Sequence, residues 1–390
     1  VPTDRAYDLV LFGATGFTGG LTARYLAGQA PARLRWALAG RSQTKLRKLR
    51  DALAAIDPRC AGLPLLPADA TDPDSLRQVA EHSRVVITTV GPFLRYGEPL
   101  VAACARAGTD YVDISGEPEF VDLMYLRYHD VAVRTGARMV HACGFDSVPH
   151  DLGAYFTVQR LPADVPLTVD GYVRAGGRFS AGTYQSALLS LARRHETTTA
   201  AGDRRRVEPR PAQRRVRAVP GRPGRSAELG MWILPLPSLD PQVVRRSAAA
   251  LPRYGPDFRY RHYVALKRLP TAVAAVLGVG AVAALARIPP VRDWLLRRST
   301  PGQGPSAEQR GKGWFTVRFI GEGGGQRVVT EVAGGDPGYD ETAKMVAECG
   351  LSLAFDDLPP TAGQVTTAVA MGDALIDRLT RAGITFRVCD

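Results

Sequence analysis

Tyr7-Asp8-Leu9-Val10-Leu11-Phe12 runs directly into Gly13-Ala14-Thr15-Gly16-Phe17-Thr18-Gly19, and this junction decides the fold. The first six residues are β-branched, aromatic and aliphatic, as a buried strand requires. The next seven space three glycines as GxxGxxG. An amphipathic stretch follows, with Leu21, Tyr25 and Leu26 on one helical face. A strand, a glycine turn and a helix in that order form a phosphate-binding unit. Gly13 makes the tight turn, Gly16 admits a pyrophosphate to the backbone, and Gly19 allows close helix–sheet packing. Thr15, Phe17 and Thr18 fill the same loop and are expected to line the ligand. Tight strand–helix turns also need glycine without any ligand, so the following strands must discriminate.

The same rhythm continues outward. Apolar runs at Trp36–Ala39, Pro64–Ala68, Arg84–Val90, Tyr111–Ile114 and Ala137–Ala142 alternate with helical stretches up to about residue 150. This predicts a doubly wound parallel sheet of Rossmann type. After Asp151 the alternation stops. Leu167–Arg174 reads as a strand and Ser180–Arg194 as a helix. Residues 196–227 are rich in Arg, Pro and Gly and read as a long loop. Arg259–Leu266, Trp314–Ile320 and Arg327–Val332 alternate as antiparallel strands do, with Gly321–Gln326 as the hairpin turn. The fold class is therefore α/β, with a Rossmann domain over 1–150 and a second, α+β mixed-sheet domain from 151.

The tip of the second strand is Gly40-Arg41-Ser42. A site for NAD places an acid there, on the ribose hydroxyls. Arg41 would instead fork onto a 2′-phosphate, and Ser42 adds a hydroxyl, so NADPH is the expected cofactor. The alternative is an exposed loop arginine. Asp69 and Ala70 follow the third strand, where they either reach the adenine or open the next helix. Thr89, Val90, Gly91 and Pro92 end the fourth strand and line the crevice near the nicotinamide ribose.

The 390 residues are 45% apolar and 23% charged, which excludes a disordered chain. The net charge of +12 is uneven: residues 193–225 hold eleven Arg against three acids. No aromatics interleave with those arginines, so nucleic acid is not expected. Five scattered Cys form no CxxC pair, which fits a reducing compartment without disulfides or structural zinc. His141 and Cys143 share a strand face but lack a second pair, so no metal is expected. No basic segment precedes an apolar one at the N-terminus, and a cytoplasmic location is expected. The longest uncharged apolar run, 271–286, reaches about 24 Å as a helix, too short to span a bilayer.

GATGFTG, AGR, TTVGPF with Tyr96-Gly97, YVDISGE at 111–117, GFDSVPHDLG at 144–153 and the tail AVAMGDALIDRLTRAGITF at 368–386 occur in order. Together they resemble the saccharopine dehydrogenase-like oxidoreductases, and among them the trans-acting enoyl reductases that serve polyketide and lipid assembly. The resemblance covers most of the chain except roughly 196–310. It implies NADPH, in agreement with Arg41. It also implies that the second domain covers 151–365 and that a tail, 366–390, returns to the Rossmann domain with 371–388 packed on it.

Enoyl reduction needs donors for a thioester oxygen and an acid near Cα. Ser180 and Thr183, at a predicted helix start, are the candidates for the oxygen, or else plain caps. Asp146 and His150 lie on the turn after the sixth strand, where the alternative is a hinge with His150 satisfied by Asp146 or Asp151. Tyr111 stands at the fifth strand with Asp113 and Glu117. Solvent could also supply the proton. The arginine-rich segment would dock an acidic acyl carrier protein or polyketide synthase, or else be a solvated loop. The apolar stretch and its basic flanks, 271–298, would touch a membrane surface, cover an acyl chain, or pack in a core or homodimer. The function expected is NADPH-dependent reduction of a carrier-bound C=C bond. The rivals are an imine or amino-acid C–N reductase and a non-catalytic NADPH-binding scaffold.

Overall fold

The computed structural model describes residues 5–177, 193–285 and 304–389. Its strands are β1 (Tyr7–Phe12), β2 (Trp36–Gly40), β3 (Leu65–Pro67), β4 (Ser83–Thr88), β5 (Asp110–Asp113), β6 (Arg138–Val140), β7 (Leu167–Gly176), β8 (Arg215–Ala218), β9 (Gly224–Ser226), β10 (Met231–Pro235), β11 (Asp257–Leu266), β12 (Trp314–Gly323), β13 (Gln326–Gly334), β14 (Gly363–Val365) and β15 (Thr385–Cys389). Seven form a parallel sheet in the order β14-β6-β5-β4-β1-β2-β3. The order reverses between β1 and β4, which opens a crevice at their carboxyl ends. Both faces of this sheet are covered, so Leu9, Val10, Leu11, Val85, Val86 and Ile87 are fully buried. Burial on both faces is why these strands appear as unbroken apolar runs rather than alternating ones.

The second sheet is mixed, in the order β15-β13-β12-β7-β11-β10-β9, with β8 paired to β11. Its β12–β13 hairpin turns through Gly324 and Gly325, at φ 58° and 76°. Two positive φ angles suit a two-residue loop whose twist matches the strands. The helix Val148–Val158 leaves the first sheet and lies against the second. A Cβ at Gly153 would sit 2.2 Å from the Phe319 ring, so that glycine sets the closeness of the contact.

Two expectations fail. Residues 196–227 are not a loop: a helix runs over Arg194–Val207, and β8 and β9 follow. The helix has no apolar stripe. It is held by charge, with Arg204 paired to Asp122 and Glu208 and Arg193 to Glu119. The tail departs from expectation only in its last strand, because the helix Gly372–Arg381 does pack on the first domain, against the helix Asp340–Phe355, with Arg378 paired to Glu348 and Asp356. The segment that joins the first sheet is earlier: the buried helix Asp340–Phe355 packs on it, and β14 extends it beside β6. The terminal strand β15 instead pairs antiparallel with β13 in the second sheet. Arg387 reaches Glu331 across that pairing.

Candidate active site

The glycine loop has the shape its spacing requires. Gly13 stands at φ +85°, and a Cβ there would lie 2.6 Å from Val90 Cγ2. A Cβ at Gly19 would lie 2.2 Å from the Gly13 carbonyl oxygen, so helix and strand could not approach as they do. The Gly16 N–H donates to Gly13 O at 2.9 Å and closes the turn. Gly16 is also the N-cap of the helix Phe17–Gln29. No side chain caps that helix, and its first turn carries no acid. The positive end of the helix is thus left open to an anion. Thr89 Oγ1 donates to Gly13 O at 3.3 Å, which ties the β4 end to the same loop. Thr15 approaches the end of β2, where a Cβ on Gly40 would meet its hydroxyl at 3.8 Å.

Arg41 is exposed beyond β2 and has no ion pair among the described residues. Ser42 accepts from Lys45 N at 3.4 Å and so caps the following helix. Of the two roles open at 69–72, capping falls to Asp72, which accepts from Asp74 N and Ser75 N. Asp69 is oriented by the Thr71 N–H and hydroxyl. Those bonds, with the Arg41 charge behind them, hold its carboxyl below the usual range. Ala70 is buried beside it. Phe17 turns its ring edge to Tyr339 at 4.9 Å, and the Thr18 carbonyl accepts from Thr22. Val90 N bonds Thr88 Oγ1, and Pro92 starts a short helix, Phe93–Tyr96. Glu117 caps that helix through the N–H groups of Phe93 and Leu94, at 2.9 and 2.8 Å.

The β5 and β6 ends divide the remaining candidates. Asp113 is fully buried and accepts from Tyr111 Oη, His141 Nδ1, Ser115 N and Ala142 N, at 2.7–2.9 Å. Tyr111 is equally buried, and burial together with Asp113 drives its hydroxyl well above the ordinary range. It braces the strand ends and cannot donate a proton to a substrate. His141 belongs to the same network.

His150 is also closed off, at 2% exposure. Burial lowers its pKa to about 4, although the adjacent Asp240 pulls the other way. At neutral pH it is uncharged, so it is not the acid. Its Nε2 lies 3.8 Å from Asp240 Oδ2, and His262 Nε2 lies 3.2 Å from the same oxygen. Ser238 donates to that carboxylate at 2.6 Å, and Tyr260 Oη meets His262 Nδ1 at 2.9 Å. Donor atoms of His150, Asp240 and His262 lie within 4.8 Å of one another. The sequence concealed this cluster, because its members are about 90 and 20 residues apart and no spacing rule joins them.

Asp146 is different. It keeps part of its surface open and lies over Gly116, where a Cβ would come within 3.0 Å of Asp146 Oδ2. Burial pushes its carboxyl up to about 7, and the charge of Asp240 adds to the push. It therefore stands at the carboxyl ends of β5 and β6 as an acid that both holds and releases a proton near neutrality. Ser180 and Thr183 lie outside the described residues.

The residues at this rim fit a phosphorylated dinucleotide: a glycine cradle that any Cβ would fill, an uncapped helix end and a free Arg41. A family model for the saccharopine dehydrogenase NADP binding domain matches residues 9–140. A Mycobacterium tuberculosis protein named trans-acting enoyl reductase is 38% identical over 98% of this chain and 98% of its own. The trans-acting enoyl reductase of Mycobacterium leprae is 37% identical over the same shares. Among solved structures, saccharopine dehydrogenase (L-Glu forming) from Saccharomyces cerevisiae is similar with a TM-score of 0.55. It covers 98% of this chain and 100% of that one at 13% identity, a likeness of fold alone.

Proposed function

Because the chain belongs to the trans-acting enoyl reductase family of saccharopine dehydrogenase-like oxidoreductases, we propose that it reduces the C=C bond of an α,β-unsaturated acyl thioester carried by a partner protein, with NADPH as reductant. Asp146 carries this reading: it is a partly open carboxyl with a pKa of about 7, over Gly116 at the carboxyl ends of β5 and β6.

NADPH supplies the hydride when bound. The glycine loop and the open helix end would hold its pyrophosphate, and Arg41 would hold the 2′-phosphate. Reduction places a hydride on Cβ, and the electron pair of the C=C bond moves toward Cα and the thioester oxygen. Asp146 delivers its Oδ proton to Cα, which completes the saturated thioester. The carboxylate left behind takes a proton back from solvent through its open side. Asp113 and Glu117 do not touch this step. They fix the β5 end and the helix after β4, and so set the walls of the crevice.

A carrier partner is supported by Arg205, Arg210 and Arg222. They are exposed, unpaired among the described residues and suited to an acidic protein. The test is NADPH oxidation with a crotonyl thioester, free and loaded on an acyl carrier protein. A product two hydrogens heavier, with no reaction from a 2-oxo acid plus an amine, is the expected result. NADPH consumption only in the second mixture would replace this reading with C–N reduction. Asp146→Asn should lower kcat about 10²–10⁴-fold, the usual worth of a general acid, with NADPH affinity unchanged. An unaltered kcat would remove Asp146 from the chemistry.

A further inference from the structure

The helix Leu269–Leu285 has no charged residue along its length. It packs against the ends of β10 and β11, where Ala272 is buried. Much of its described surface faces outward: Val273, Val276 and Leu277 are 48%, 55% and 67% exposed. Exposed positions from 273 to 281 sweep about 200° of the circumference at roughly 100° per residue. Half of the exposed large apolar side chains among the described residues lie on this one element. An apolar patch of that extent marks an interaction surface.

The strand registers show what surrounds its root. Trp314 pairs with Gly176, and a Cβ there would meet the indole at 2.4 Å, so the ring lies on the strand end. Val173 pairs with Val264, which sets Leu266 at the same level of the sheet, and Leu266 pairs with Trp232. Trp232 in turn pairs with Arg225. The sheet end from which the helix departs thus carries Trp314, 40% exposed, and the partly open Trp232. It also carries exposed Arg225, Lys267 and Arg268, none ion-paired among the described residues. In the sequence, Arg287, Arg292, Arg297 and Arg298 follow the helix.

An apolar body with a collar of indoles and cations is the pattern of an interfacial anchor. Tryptophan settles at headgroup depth, and cations meet anionic lipid there. No helix among the described residues is long and apolar enough to cross a membrane. At 17 residues this one extends about 25 Å, short of the roughly 30 Å hydrocarbon core, so it suits a helix lying in the interface rather than one that spans it. We propose that the Leu269–Leu285 helix and the Trp232–Trp314 sheet end dock the enzyme on an anionic bilayer surface. This holds whichever bond the enzyme reduces.

Sedimentation of the full chain with vesicles of phosphatidylcholine and phosphatidylglycerol tests it. Wild type should co-sediment, at least tenfold less with phosphatidylcholine alone, and several-fold less in 0.5 M salt, where charges beyond about 4–5 Å are screened. Val276→Glu with Leu277→Glu should cut binding tenfold or more while the melting curve and NADPH affinity stay unchanged, because both side chains face outward. Lys267→Glu with Arg268→Glu should abolish the preference for anionic lipid. Failure of wild type to sediment would overturn the proposal. So would a wild-type dimer that the double glutamate variant splits, since a second copy would then cover the face. A collapse of the melting curve in that variant would place the helix in a core and overturn it too.

Discussion

Arg41 is the single exposed side chain on which the proposed choice of cofactor turns. Its guanidinium has no protein partner among the described residues, so a 2′-phosphate would meet an uncommitted fork. Arg41→Asp should weaken NADPH by about 10–100-fold, from a lost charge-assisted pair worth roughly 1.5–3 kcal/mol plus new repulsion, and leave NADH equal or better. Fluorescence titration with both nucleotides reads this directly, and equal loss for both would mean a damaged loop rather than a lost phosphate contact. Asp146 gives the second residue-scale prediction. An acid with a pKa of about 7 acts while protonated, so kcat should fall as pH rises through that value. In Asp146→Asn that limb should vanish from the pH profile. Both residues were visible in the sequence as types at strand ends. Their neighbours were not separable from them. Tyr111 and Asp113 alternate onto one strand face and spend themselves on each other, whereas Asp146 lies over Gly116 with part of its surface open, and that difference is three-dimensional.

The elements of the first domain were legible because parallel strands buried on both faces are uninterrupted apolar runs, and glycine turns punctuate them. The β12–β13 hairpin was legible from alternation around Gly324-Gly325. The helix Arg194–Val207 was not, since its stabilising partners come from distant segments. Arg204 is 3% exposed and binds Asp122, Glu208 and Gln364, with its guanidinium 3.9 Å from the Tyr125 ring. Burial would raise Glu208, but Arg204, Arg246 and Arg245 hold it down at about 2. A compositional reading sees only eleven arginines there. Arg204→Ala should cost about 3 kcal/mol in urea unfolding, the low end for a broken buried pair, because Arg245 and Arg246 still face the acids. Arg206→Ala removes an exposed pair with Asp203 and should change stability by less than about 1 kcal/mol. Equal effects would mean that burial of Arg204 does not hold this helix in place.

At the scale of the molecule, one buried carboxyl gathers three helices. Asp151 is fully buried in the first turn of the helix Val148–Val158. It accepts from Ser247 Oγ at 2.5 Å, from Thr367 Oγ1 at 2.7 Å and from Ala368 N at 2.8 Å. These donors lie on the helices Asp240–Ala250 and Thr367–Ala370, so three helices meet there. Burial raises the Asp151 pKa to about 6 even though every one of these bonds favours the carboxylate. The ordinary value is about 3.9, so the folded state holds this proton more tightly than the unfolded state does. Between about pH 4 and pH 6 the native protein therefore binds more protons here, and this group's contribution to stability falls as pH rises. Above pH 6 the loss is complete and amounts to at most about 3 kcal/mol, at 1.36 kcal/mol per unit. Other groups titrate in the same window: His150, lowered to about 4, contributes with the opposite slope. The comparison must therefore be between variants. Asp151→Asn keeps the shape but cannot ionise. Its stability relative to wild type should improve steadily from pH 4.5 to pH 6.5 and then level off. Urea unfolding of both proteins across that range measures the difference, in which the His150 contribution cancels. A difference independent of pH would mean that Asp151 ionises in the folded protein as it does in water, and that the helix junction is not the low-dielectric site its burial describes.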